Sequence, residues 1–142
     1  MNKWFVVGVT AALATGFSFA AFAQGGASNE ASVAHAHALM AQNAKTLTEA
    51  HAHLHHVINC LVGPKGAGFD AKAEDPCKGQ GNGAIPDSAS DAALNGKLKS
   101  ALADAQSGVK ASKLADVQAD AAKAAAALGA TPVQKASGGY SW

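Results

Sequence analysis

Residues 41–50 read "AQNAKTLTEA", and whether the chain turns here or runs straight through decides the fold. The surrounding segment, residues 31–62, has no Gly or Pro and carries Val33, Met40, Leu47, Leu54 and Leu61 at seven-residue spacing. Such a stripe is helical. As one helix the segment would run ~48 Å at 1.5 Å per residue. Within it, Thr46-Leu47-Thr48-Glu49 has the form of a capping box, in which a hydroxyl and a carboxylate satisfy the free amides of a new helix start. A shift of 67 positions lays Leu47 on Leu114, Ala50 on Val117, Leu54 on Ala121 and Leu61 on Leu128, and puts the Gly108–Ser112 break onto Ala41–Lys45. We therefore read an all-α chain, a small antiparallel bundle of two helical hairpins. A single first helix, giving three helices in all, is the alternative.

Gly63-Pro64 stops the first helical region, as Gly at a C-terminal cap followed by Pro should. Residues 63–87 are dense in glycine, hold three of the four prolines and show no periodicity, so they form a long loop. The glycines lack phosphate-loop spacing and the acids lack EF-hand spacing. Helical pattern resumes after "PDSASD", where Asp87, Ser88 and Ser90 can cap, and Leu94, Leu98, Ala101, Leu102 and Ala105 share a face. Gly108 interrupts, and Ser112 can cap a further helix carrying Leu114, Val117, Ala121, Ala124 and Leu128. Gly129 and Pro132 end it, leaving residues 129–142 as a flexible tail.

The first 23 residues, with Lys3, an apolar core and Ala21-Phe22-Ala23, read as a secretory signal peptide. The apolar core is short of the ~20 residues a membrane span needs. Residues 24–30 then form a polar leader and residues 31–128 the bundle domain. Beyond residue 23 the chain has ten Lys, no Arg and ten acids, so it is neutral with neutral histidine. That balance disfavours nucleic acid as a partner. After signal cleavage no membrane contact is expected, and the location is periplasmic. Cys60 and Cys77, an even pair in an exported chain, suit a disulfide stapling the loop, closing it by ~3 kcal/mol on the chain-entropy view. A metal-ligating Cys60, four residues after His56, is the competing reading.

All six histidines fall between His35 and His56. On a helix His51 and His55 share a face, as do His53 and His56. On a single helix His37 and His51 would stand ~21 Å apart. A turn centred on Ala44 instead sets His37 beside His51 and His35 beside His53. Clustered imidazoles suit Cu, Ni or Zn, and the shortage of nearby carboxylates disfavours Ca²⁺, Mg²⁺ or a di-iron centre. Metal-ligand candidates are His51 and His55 first, His37 next, then His35, His53 and His56. A helical hairpin with solvated, unliganded histidines is the plain alternative.

The stretch "HAHALMAQNAKTLTEAHAHLHHV", with its histidine-poor echo "LADAQSGVKASKLADVQADAAKAAAAL", resembles the small metal-binding proteins of the bacterial periplasm. The resemblance covers residues 33–62 and 94–128. It implies a short exported four-helix bundle of His-bearing, Ala-rich heptads that binds divalent metals, copper among them. This chain departs in its histidine-free second half and its cysteine-bearing loop, which points to one site or a small cluster. The expected function is a periplasmic buffer or carrier of Cu, Ni or Zn whose affinity falls as pH drops through ~6.5. The alternative is a non-catalytic structural or interaction module with no metal, docking a protein partner through loop 63–87 at Phe69 or Ile85. No Ser-His-Asp or Cys-His-Asn order is evident, so an enzyme is not expected.

Overall fold

The computed structural model describes residues 20–129. Most of the expected signal segment, and the expected tail beyond Gly129, lie outside the described residues. The described chain is all-α: α1 (Ala20–Asn43), α2 (Leu47–Val62), α3 (Ala84–Asp87), α4 (Ala92–Lys110) and α5 (Leu114–Gly129). No helix among the described residues is long and apolar enough to cross a membrane.

Between α1 and α2 the chain turns over three residues, Ala44, Lys45 and Thr46. Thr46 caps α2, its hydroxyl accepting from the Glu49 amide at 3.1 Å. The Glu49 carboxylate answers at the Lys45 amide, 3.0 Å away, one residue earlier than in a standard box. Gly63 closes α2 with positive φ (70°), and its amide donates to the Asn59 carbonyl. α1 packs beside α2, α4 beside α5, and α1 also lies against α5.

The buried hydrophobic residues of α1 are all alanine: Ala27, Ala31, Ala34, Ala38 and Ala41. The seven-residue stripe read from the sequence is therefore not the core of this helix. Val33 only packs at its edge and Met40 is 48% exposed, because the turn at 44–46 breaks the phase between the halves. Residues 24–30, read as polar leader, are helical, with Ala27 and Glu30 buried. In α2 the core face is Ala50, Leu54, Val57, Ile58 and Leu61.

Two local expectations are corrected. Gly108 does not break the third long helix. It lies buried inside α4, where an added Cβ would come within 2.5 Å of Leu54 Cδ1, so a hydrogen there lets the helices meet. Nor do Asp87, Ser88 or Ser90 cap α4: Asp91 does, accepting from the Leu94 amide at 3.0 Å. Asp87 instead ends α3, a short helix inside the expected loop, and its carboxylate takes both the amide and the side chain of Asn82.

The 67-position register extends through all four long helices. α2 and α5 are 16 residues each and start at Leu47 and Leu114, while α1 and α4 end at Asn43 and Lys110. Burial follows the same shift: Ala27, Ala31, Ala34, Ala38 and Ala41 answer to Leu94, Leu98, Ala101, Ala105 and Gly108. Ala50, Leu54, Val57, Ile58 and Leu61 answer to Val117, Ala121, Ala124, Ala125 and Leu128.

The segment between α2 and α3 is laced to α2 at two adjacent residues. Cys60 and Cys77 are joined sulfur to sulfur, with 5.2 Å between their Cα atoms. Asn59, fully buried, donates to the Asp70 and Glu74 carbonyls and accepts from the Asp70 amide at 2.8 Å. Phe69 and Ile85, read as docking residues, pack against the core.

Candidate metal centre

The turn decides which histidines meet. Because it is centred on Lys45 rather than Ala44, the residue of α2 opposite His37 is His53, two positions beyond His51. His56, one helical turn after His53, completes the group. His37 Nδ1 lies 3.2 Å from His53 Nδ1 and 3.3 Å from His56 Nδ1. The ring centroids stand 4.8–5.8 Å apart, with His56 edge-on to both partners. One ligand nitrogen from each residue falls within 4.8 Å of the other two.

These spacings have a chemical meaning. Two nitrogens bound at ~2.0–2.1 Å to one tetrahedral metal are themselves about 3.3 Å apart. Without a metal, His37 Nδ1 has a single hydrogen or a single lone pair to serve both neighbours, since in each close pair one nitrogen must donate and the other accept. Burial, then the neighbouring His56 and His53, pushes His37 down to about 4. Burial likewise lowers His56, helped by His53 and opposed by the carboxylate of Glu74. An imidazole held neutral is in the state a metal requires.

The other candidates are placed elsewhere. His51 Nε2 lies 3.0 Å from the Ala111 carbonyl at the turn between α4 and α5. A carbonyl only accepts, so this nitrogen carries the proton. His55 Nδ1 sits 3.2 Å from Asp70 Oδ2, on the segment after α2. His35 faces the end of α5, its Nε2 3.3 Å from where a Cβ on Gly129 would stand. The i,i+4 pair ranked first by spacing is thus divided between two structural contacts, and the i,i+3 pair His53 and His56 joins His37. Cys60 is tied to Cys77 and takes no part.

Sequence spacing missed two neighbours of the site. Glu74 acts on His56 from a non-periodic segment, and Asn59 holds that segment down. A signal for the triad itself was present in Thr46, whose capping role fixes the turn centre.

The 67-position register carries the triad onto Asp104, Asp120 and Lys123. Two of those residues pair and the third acts on them: Lys123 Nζ donates to Asp120 Oδ1 at 2.7 Å, and Asp104 attracts the same ammonium. The Ser107 side chain also acts on Asp120, helping to hold its carboxyl below the usual range. The second helix pair therefore sets an ammonium on one carboxylate, with a second attracting it, where the first gathers three imidazoles.

No protein-family model matches the chain, and neither does any curated protein or solved structure.

Proposed function

We propose that this is an exported, non-catalytic metal-binding protein, holding one divalent transition metal (Cu, Ni or Zn) at His37, His53 and His56. The observation that supports this reading is the convergence of three ring nitrogens, of which His37 Nδ1 stands 3.2 and 3.3 Å from the other two, the separation of ligands on one tetrahedral ion. Three protein ligands leave a coordination position open, which suits reversible loading by a buffer or carrier rather than a closed structural site. Imidazole nitrogen selects Cu, Ni and Zn over Ca²⁺ and Mg²⁺. The signal-like first 23 residues support export, and periplasmic placement is part of the proposal. The resemblance to small periplasmic metal-binding proteins points the same way.

Isothermal titration of the full chain with Zn(II), Ni(II) and Cu(II) tests this. Heat saturating at one ion per chain is expected, absent in the His37→Ala/His53→Ala/His56→Ala variant and retained in His35→Ala. No heat above buffer at micromolar metal, or equal heat from the triple variant, overturns the reading.

A further inference from the structure

We propose that the Met40 thioether is the fourth ligand of the histidine site and biases it toward copper, Cu(I) above all. This rests on the triad reading and goes further, naming the ligand that fills the open position.

The spacing along α1 and the second helix pair together place the thioether. The second pair's cluster has a fourth residue beside it, because the Ser107 side chain acts on Asp120. The register that carries Asp104, Asp120 and Lys123 onto His37, His53 and His56 carries Ser107 onto Met40. It is the same register that matches helix ends and buried positions along all four long helices. Exposure also corresponds: His37, Asp104, His53 and Asp120 are half-buried, while Met40 and Ser107 are exposed. A side chain at position 40 therefore stands where its counterpart acts on the group equivalent to His53. Met40 is three residues after His37, on the same face of α1.

Its exposure has no structural explanation. Leu39 and Met40 are the large hydrophobics left exposed among the described residues, and Met40 gives nothing to the core. A thioether is a soft, flexible donor suited to Cu(I) and poorly matched to Zn(II) or Ni(II). Three imidazoles with one thioether form a neutral ligand set that would hold a copper ion without a compensating carboxylate. The rival fourth ligand is Glu74, whose carboxylate acts on His56 and is a harder donor.

One feature makes the test direct: the chain has two methionines, and the other is Met1. In protein carrying ¹³C-methyl methionine, the Met40 methyl signal is assigned by its loss in Met40→Leu. Ag(I), a redox-inert stand-in for Cu(I), is titrated, then Cu(I) held reduced by ascorbate, then Zn(II). The Met40 methyl should shift with Ag(I) and Cu(I) and stay in place with Zn(II), while the histidine rings respond to all three. In competition with a chromophoric chelator, Met40→Leu should lower Cu(I) affinity more than about tenfold, a loss even outer-shell changes reach at metal sites. Its Zn(II) affinity should be unchanged, and Glu74→Gln should leave Cu(I) affinity intact. A still methyl under Cu(I) with moving histidine rings overturns the Met40 assignment and leaves the triad standing. So does a Cu(I) loss in Glu74→Gln matched by none in Met40→Leu. Silence of the histidine rings toward every ion removes the triad reading itself.

Discussion

His51 shows how a residue chosen for its chemistry can belong to the architecture. Its Nε2–H donates to the carbonyl of Ala111, at the turn between α4 and α5. The register-related residue is Gln118, and its side-chain amide donates to the carbonyl of Ala44, at the turn between α1 and α2. Each helix pair thus closes the other's turn with a single side-chain donor, imidazole in one case and carboxamide in the other. His51→Gln should keep the bond, since Gln118 already makes it. His51→Ala should cost about 1 kcal/mol by leaving a turn carbonyl short of a donor. Chemical denaturation separates the two variants, and metal titration of both should match the unmodified chain. A loss of metal binding in His51→Gln would return His51 to the site. That six imidazoles lay close together was legible in the sequence. Which three converge was not, because a shift of the turn centre from Ala44 to Lys45 exchanges His51 for His53 opposite His37.

At the scale of elements, the glycine-rich segment is fixed by the end of α2 and the middle of α1. Asn59 and Cys60 hold it from one side, by three side-chain hydrogen bonds and the bond to Cys77. Removing the carboxamide in Asn59→Ala strands the Asp70 amide and two carbonyls, at about 1–3 kcal/mol for each group that stays buried and unpaired. Hydrogen exchange should show the amide of Asp70 and its neighbours losing protection before α2 does. Unchanged exchange there would mean that the disulfide alone orders the segment. From the other side Glu30 accepts from the Gly83 amide at 2.9 Å, while its second oxygen has no partner. Burial, with Asp87 and Asp75 nearby, raises this carboxyl from 4.5 to about 7, against the Gly83 hydrogen bond. The folded chain therefore binds more protons than the unfolded chain between those values, and stability falls as pH rises through that window. Glu30→Gln keeps the acceptor for Gly83 and removes the titration. Denaturation below and above the window should show the variant gaining on the unmodified chain as pH rises. A constant difference would mean that Glu30 titrates alike folded and unfolded.

For the whole molecule, the two helix pairs are one pattern used twice with different chemistry on a common frame. Half of that frame was legible in advance. Leucines and valines at helical spacing marked α2, α4 and α5, and Thr46 and Gly63 marked the limits of α2. The buried face of α1 was not legible, because its five core residues are alanines and alanine also fills unburied positions such as Ala36 and Ala52. Polarity carries no period where both faces are methyl groups. The frame brings positions 37, 53 and 56 together, and equally 104, 120 and 123, so convergence comes from the backbone and chemistry from the residues. In the second pair the Lys123 ammonium sits on the Asp120 carboxylate with Asp104 attracting it as well, a cation built into the chain. If this is right, three substitutions should transfer the chemistry. Asp104→His/Asp120→His/Lys123→His removes one ion pair of an exposed lysine, a small loss, and should leave helix content by circular dichroism unchanged. Zn(II) titration of the folded variant should saturate at two ions per chain in place of one. Adding His37→Ala/His53→Ala/His56→Ala to the same chain should bring it back to one. A variant that stays folded and still binds a single ion would show that the positions converge only when the first pair's own surroundings, Glu74 and the laced segment, hold them.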